Sequence, residues 1–585
     1  MSHRMSRLVA AMAIAALVLI HSRLALSADG KQSPQQTPLW QHAVVAADHP
    51  AASAAGVAVL KKGGNVVDAA VATAAALSVV RPESCGIGGG GFMVIWNAET
   101  KQAVAIDYRE RAPRRATRTM YFDPRDPTKL VPRLSREGHL ATAVPGTVAG
   151  WCEVQRKYGK LKLADVLAPA IGLAKAGVSV DGTMRRSQQS LLKRFRQSPA
   201  DAERFANLVK LYLNGGKPWG KSDRFFSPQR AVLELVAARG RDAFYKGPVA
   251  EALLVEMKRG GGLITADDLA EMRPVIRKPL TGRFDDLEIV TMPPPSSGGV
   301  ALLQMLNTLS AWEEKHPDRK LKRADFNTPA TIHLLTEMMK HAFADRAEYL
   351  GDADFAKVPV ERLISRKYAA ALAARIDGRR THPLKFYGRF QGLDDAGTSH
   401  FCVIDAKGNA VACTETINTG YGSLVVEPKY GIVLNNQMDD FAAMPGKPNA
   451  FGLIQSEANA VAPRKKPLSS MTPTIAVRDG KAVFVVGASG GPRIISSTLQ
   501  VLLNMQRFGM RPAKAVAEPR FHHQWVPNEL LLEDGLFEPL RKLLKAKGHT
   551  VRRRDSLSAT QAAARGPRGL QGGSDPRKGG RPAGF

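Results

Sequence analysis

Cysteine is scarce: the 585 residues hold four, Cys85, Cys152, Cys402 and Cys413. No pair has the spacing of a metal site, so no structural metal is expected from them. Cys402 and Cys413 flank the turn Asp405-Ala406-Lys407-Gly408-Asn409 of an expected hairpin. One register would face them, a glycine bulge would not, and buried free thiols are the expectation. Aromatic residues make up only 6%, and acids number 53 against 83 Lys and Arg, a net charge of +30. The cations are spread along the chain, and the densest cluster, Arg552-Arg553-Arg554 after Lys545 and Lys547, is short. With so few aromatics to stack on bases, this reads as solvated surface, with no nucleic-acid partner expected. The excess also suits contact with an anionic cell envelope.

Long apolar runs are missing as well. The one near the start, Leu8 to Ile20, follows Arg4 and Arg7 and is short for a bilayer span. Ala25-Leu26-Ser27 places small residues at the −3 and −1 positions, so residues 1–27 read as an export signal cut after Ser27. No cysteine lies near that point to carry a lipid. A periplasmic or secreted mature chain without a membrane span is expected.

What remains is an ordinary globular composition, 44% hydrophobic and 23% charged. Ala51 to Leu60 fits a helix closed by Gly63-Gly64. Asn65 and Asp68 then cap an Ala-rich helix reaching Val80. The Gly-rich loop Cys85 to Gly91 opens the strand Phe92 to Trp96. It lacks Gly-Lys-Ser/Thr, so a tight backbone passage is expected rather than phosphate binding. A second strand, Ala103 to Tyr108, ends at Arg109. Pro145 to Ile376 reads as mostly helical, with a capping box at Thr265-Ala266-Asp267-Asp268. In Pro293 to Gly299 the serines are expected to cap the helix that follows. His333, His341, Asp345 and Arg346 recur at helical spacing on Thr331 to Tyr349 and read as satisfied structural residues. Beyond Thr398 the texture turns to β, at His400 to Ile404, Ala410 to Ile417, Gly431 to Leu434, Thr474 to Val477 and Ala482 to Gly487. Sheets covered by helices are the expected architecture.

Two nucleophiles compete. Gly487-Ala488-Ser489-Gly490-Gly491 matches G-x-S-x-G between a strand and a helix, with Glu518, Asp534, His522, His523 and His549 downstream. It lies late in the chain, and its glycines equally suit an oxyanion hole for a nucleophile from elsewhere. Thr398 opens a strand in Asp395-Ala396-Gly397-Thr398-Ser399-His400. An internal threonine lacks a base, but cleavage before it frees an α-amine that serves as one. Thr416 and Asn418 share a face of the returning strand. Arg109 suits a carboxylate and an aspartate suits an ammonium, which together would grip an amino-acid head group.

The sequence resembles the γ-glutamyltranspeptidases of the N-terminal nucleophile hydrolase superfamily. The resemblance rests on Gly63-Gly64-Asn65-Val66-Val67-Asp68-Ala69-Ala70, Tyr108-Arg109-Glu110-Arg111-Ala112-Pro113, Gly397-Thr398-Ser399-His400, Asn435 to Phe441, Pro467 to Pro473, Gly490-Gly491 and Gly573 to Arg577. It implies an α+β fold, a four-layer αββα sandwich built jointly by a large subunit (28–397) and a small one (398–585). These would arise by self-cleavage between Gly397 and Thr398 and stay paired as a heterodimer. It implies Thr398 as nucleophile, Thr416 orienting it, and Gly490 and Gly491 as oxyanion donors. Arg109, Ser469 and Ser470 would take the α-carboxylate, and Asn418, Gln437 and Asp440 the α-amine. Glutathione and related γ-glutamyl donors would pass their acyl group to water, amino acids or peptides, with no cofactor or metal. A glutaryl-type cephalosporin acylase of the same fold is the close alternative, a serine hydrolase using Ser489 the distant one. The segment Phe441 to Gly452 resembles a lid loop, with Phe451 where an aromatic hydroxyl is expected.

Overall fold

The computed structural model describes residues 38–388, 398–447 and 455–585. The export signal, Gly397 and Phe451 lie outside these residues.

Asn65 accepts the backbone N–H groups of Val67 and Asp68, and Asp68 answers by accepting that of Asn65. This capping box starts helix α2 (Val66–Val80), which follows α1 (Pro50–Lys61). Every residue of α2 is buried, as its small side chains permit. Helices α3 (Thr147–Tyr158) and α4 (Leu163–Ala176) complete this layer. Helices α5 (Gly298–Lys315), α6 (Pro329–Tyr349) and α7 (Arg493–Gln506) form the opposite one.

Between them lie two antiparallel sheets. The strands are β1 (Ala43–Ala47), β2 (Gly90–Asn97), β3 (Gln102–Asp107), β4 (Val275–Arg277), β5 (Leu280–Phe284), β6 (Leu287–Thr291), β7 (Ser399–Asp405) and β8 (Ala410–Thr416). After these come β9 (Thr474–Arg478), β10 (Lys481–Ser489), β11 (Ala559–Gly566), β12 (Gly569–Ser574) and β13 (Ala583–Gly584). One sheet has the order β13-β1-β7-β8-β2-β3-β4, the other β12-β11-β10-β9-β6-β5. Each sheet contains strands from both sides of Thr398, so neither part has a complete sheet of its own.

Strand alternation builds three apolar layers. Cys402 and Ile404 of β7, with Phe92 and Val94 of β2, meet Ile475, Val485 and Ala563 of the other sheet. Phe401 and Val403 point the other way, onto α1 and α2. Ile289 and Val486 of the second sheet turn outward onto α5 to α7. Each fully buried side chain of this kind contributes about 1.5–3 kcal/mol. Because helices cover both sheets, the strands read as nearly continuous apolar runs. This is the αββα sandwich expected from the sequence.

Some local expectations resolve differently. Phe401 pairs with Cys413 and Cys402 with Ala412, so the two cysteines point to opposite faces of the sheet. All four cysteines are buried and free. Gly431 to Leu434 yields only the two-residue strand Ile432–Val433, paired with Val426–Glu427 outside the sandwich. Ser296 and Ser297 donate their hydroxyls to the carbonyls of Met471 and Ser469, so they bind the 469–471 loop; only Ser296 also accepts a helix-start N–H, from Gly298.

Candidate active site

Thr398 immediately precedes β7 and faces the end of β8. Its Oγ1 lies 3.2 Å from Thr416 Oγ1. Thr416 Oγ1 accepts the backbone N–H of Asn418 at 2.8 Å, which leaves its proton able to point at Thr398. Asn418 has φ +79°, and its Nδ2 donates to the Asn436 carbonyl at 3.0 Å. Behind β8, Glu415 Oε1 accepts from Trp151 Nε1 at 2.7 Å and from Tyr108 OH at 2.9 Å. These bonds tie the strand beside Thr398 to α3 and to the end of β3. The Gly-rich loop is the tight passage expected of it. A Cβ on Gly89 would stand 2.1 Å from the Thr416 carbonyl oxygen.

The residues singled out in the sequence converge here. Arg109, Thr398, Thr416, Asn418, Gln437, Asp440, Ser469, Ser470 and Gly491 line one small pocket. Gly490 lines an adjoining cleft of about 440 Å³ that also reaches Thr398. Gly490 and Gly491 take φ +131° and +57° in the turn between β10 and α7. Glycine enters this region at no steric cost, and the turn directs backbone toward the start of a helix.

The two ends of the expected head-group clamp hold each other. Arg109 Nη2 donates to Asp440 Oδ2 at 2.5 Å, and Gln437 Nε2 donates to the same oxygen at 2.7 Å. Arg109 Nε donates to the Pro467 carbonyl at 3.1 Å. Both Arg109 and Asp440 are buried, so this is a charge pair in low dielectric and not a loose surface bridge. Ser469 Oγ accepts from Met471 N at 3.1 Å. Ser470 Oγ accepts from Arg346 Nη2 at 3.4 Å.

Ser489 is built differently from a hydrolase nucleophile. Its hydroxyl donates to the Ala559 carbonyl at 3.2 Å. His522 pairs with Ser496, His549 with His333, and His523 accepts the Trp525 N–H. Among the described residues no histidine is bonded to Ser489, so the serine-hydrolase reading fails on geometry. Ser489→Ala is expected to keep activity within about threefold, at a stability cost of about 0.5–1.5 kcal/mol for the lost bond. Complete inactivity in a folded, processed variant would bring that reading back.

Two residues near the site escaped the sequence reading. Lys578 Nζ donates to the Thr398 carbonyl at 2.5 Å and to Asp48 Oδ2 at 2.8 Å. It follows the tail motif directly, but a terminal lysine in a basic chain looks like solvated surface. Arg346 lines the Thr398 pocket and contradicts its reading as a satisfied structural residue: its Nη1 has no hydrogen-bond partner among the described residues. Two of its helix neighbours differ. Asp345 accepts from Tyr368 and Gln304, and His333 bonds Asp377 and His549; His341 packs tilted against Phe386 and Tyr387, and its Nε2, like Arg346 Nη1, has no hydrogen-bond partner among the described residues. His333, Glu337 and His549 bring donor atoms within 4.8 Å of one another. Glu337 there already meets Lys340, Thr381 and Tyr387, which makes the group a hydrogen-bonded network.

Burial also sets charge states. Among the described residues neither oxygen of Glu110 has a hydrogen-bond partner. Desolvation pushes its carboxyl from 4.5 up to about 8 against the pull of Arg109. Desolvation likewise lifts Glu415 to about 7, against its bonds from Trp151 and Tyr108. A raised carboxyl contributes stability that is complete below its unfolded value and lost as pH rises through its folded one. Buried histidines act in the opposite sense. Burial lowers His400 and His522 to about 3, so their contribution is complete above about 6.5. Resistance to urea is therefore expected to fall between about pH 6.5 and 8, and Glu110→Gln should flatten that fall. A Glu110→Gln curve parallel to wild type would refute the assignment.

Comparison with known proteins gives the family. The γ-glutamyltranspeptidase family model matches residues 52–585. A glutathione hydrolase proenzyme of Escherichia coli (strain K12) is 42% identical over 538 residues, spanning 91% of this chain and 90% of the relative. The solved cephalosporin acylase from Bacillus halodurans is similar with a TM-score of 0.82 at 26% identity, covering 96% of this chain and 98% of that one. γ-Glutamyltranspeptidase from Pseudomonas nitroreducens complexed with L-DON gives 0.52 at 38% identity, covering 58% and 95%. The chain therefore belongs to the γ-glutamyltranspeptidase family and has the αββα fold of the N-terminal nucleophile hydrolases.

Proposed function

We propose that this protein is a self-processing γ-glutamyltransferase and glutathione hydrolase. The observation that carries the reading is the Thr398–Thr416 hydroxyl pair, 3.2 Å apart, in one pocket with Arg109, Asp440 and Gly491. Thr398 Oγ1 attacks the Gly397 carbonyl carbon and its proton passes to the departing nitrogen as the Gly397–Thr398 C–N bond breaks; water then hydrolyses the resulting ester, leaving the Gly397 carboxylate, a free Thr398 hydroxyl and an α-amine that becomes the base. The two pieces, 28–397 and 398–585, stay paired because both contribute strands to each sheet.

In turnover the α-amine takes the Thr398 hydroxyl proton as Oγ1 attacks the γ-carbonyl carbon of the donor. Thr416 orients the hydroxyl. Backbone N–H groups of Gly490 and Gly491 stabilise the oxyanion, an effect worth about 3–4 kcal/mol for a single donor in comparable enzymes. The α-amine gives its proton to the departing amine, and the acyl group remains as an ester on Thr398. Water or the amine of an amino acid or peptide then attacks that ester, with the α-amine again moving the proton. Arg109, Ser469 and Ser470 hold the α-carboxylate; Asp440, Gln437 and Asn418 hold the α-ammonium.

Retention of Asp440, bonded by Gln437 beside Thr398, favours γ-glutamyl over glutaryl donors, which lack the ammonium. The sequence of residues 1–27 suits export to the periplasm or beyond. The test is to purify the protein, resolve it on a denaturing gel, and measure glutamate released from glutathione with and without a dipeptide acceptor. Two fragments, glutamate release and acceptor-dependent transfer are expected. A single uncut chain inert toward glutathione would overturn the reading.

A further inference from the structure

Arg346 is 1% exposed on α6, and its surroundings are unusual for a buried cation. Its Nε donates to Ser297 Oγ at 2.9 Å and its Nη2 to Ser470 Oγ at 3.4 Å, both neutral hydroxyls. Its Nη1 is buried and makes no hydrogen bond among the described residues. Other fully buried arginines have a carboxylate within 2.7 Å: Arg81 has Asp181, Arg109 has Asp440 and Arg520 has Asp575. Asp440 is the acid whose field reaches Arg346, and it is already held by Arg109 and Gln437.

An unpaired buried charge costs several kcal/mol. Burial accordingly lowers the Arg346 guanidinium, partly offset by Asp440, to about 10, which leaves it charged at neutral pH. Arg109 and Arg346 line one pocket, and Asp440 is the one acid among its lining residues. That pocket carries excess positive charge next to Ser470, the residue assigned to the donor's α-carboxylate. An arriving carboxylate would supply the missing partner, and a guanidinium offers the fork that matches it.

We propose that Arg346 binds the donor's α-carboxylate directly, as a second guanidinium beside Arg109, and makes the pocket select acyl groups that carry that carboxylate. The proposal rests on the γ-glutamyl reading above and adds a substrate-binding residue to it. Arg346 does not distinguish γ-glutamyl from glutaryl, since both carry the carboxylate. It distinguishes both from acyl groups that lack it.

The test uses L-glutamate, glutarate and 4-aminobutyrate as competitive inhibitors of γ-glutamyl-p-nitroanilide hydrolysis by wild type, Arg346→Met and Arg346→Lys. In Arg346→Met the inhibition constants for glutamate and glutarate should rise at least tenfold, while that for 4-aminobutyrate stays within about twofold. Arg346→Lys keeps the charge without the fork and should fall between. If Arg346→Met fails to fold or process, the lysine variant carries the same comparison. Equal changes for all three ligands, or none, would mark Arg346 as merely structural and overturn the proposal. A wild-type enzyme that hydrolyses no γ-glutamyl donor would instead overturn the reading beneath it.

Discussion

Thr398→Ala should run as a single uncut chain on a denaturing gel and lose γ-glutamyl transfer by at least about 10⁴-fold. Both effects have one cause. The hydroxyl that would attack the preceding carbonyl is the one that would attack the donor, so its removal stops maturation and turnover together. The folded state should survive, because the Thr398 side chain makes its contact with Thr416 at the rim of the sandwich, and the core residues of β7 begin beyond it. Thr398→Ser keeps the hydroxyl and should still process. Two fragments and near-normal turnover from Thr398→Ala would remove Thr398 from the mechanism. A misfolded product would show as loss of the urea transition, which separates that outcome from a chemical one.

Asp440→Asn should raise the KM for γ-glutamyl donors about 10²- to 10³-fold while kcat changes much less. In the free protein Arg109 and Asp440 are bonded at 2.5 Å. On the proposed reading, donor binding would exchange that one pair for two, Arg109 with the α-carboxylate and Asp440 with the α-ammonium. The asparagine loses the second pair and leaves a buried ammonium without its counter-charge, a loss of about 3–4 kcal/mol. Glutaryl donors carry no ammonium, so they should be penalised far less. Donor titrations with both acyl groups measure the contrast. An unchanged KM for γ-glutamyl substrates would exclude Asp440 from the site.

Much of the architecture was legible locally. The Asn65–Asp68 capping box, the helices Pro50–Lys61 and Pro329–Tyr349, and the strands on either side of Thr398 follow from capping and periodicity, which act within a few residues. The site residues were legible because they lie in motifs matching a family. Arg346 was not, since a charge on a helix looks alike whether it faces a carboxylate, solvent or a substrate pocket.

By itself the sequence determined the layers, the position of Thr398 at the mouth of a strand, and a set of groups chemically suited to a carboxylate and an ammonium. Only the tertiary structure decided which of these meet. It brings Arg109 onto Asp440 across 331 residues and Lys578 onto Thr398 across 180. It also turns Ser489 to the Ala559 carbonyl and sends Cys402 and Cys413 to opposite faces. The reason is physical. Helix and strand preferences are short-range, whereas these meetings are set by the register and packing of two sheets, whose stabilisation is spread over many distant side chains.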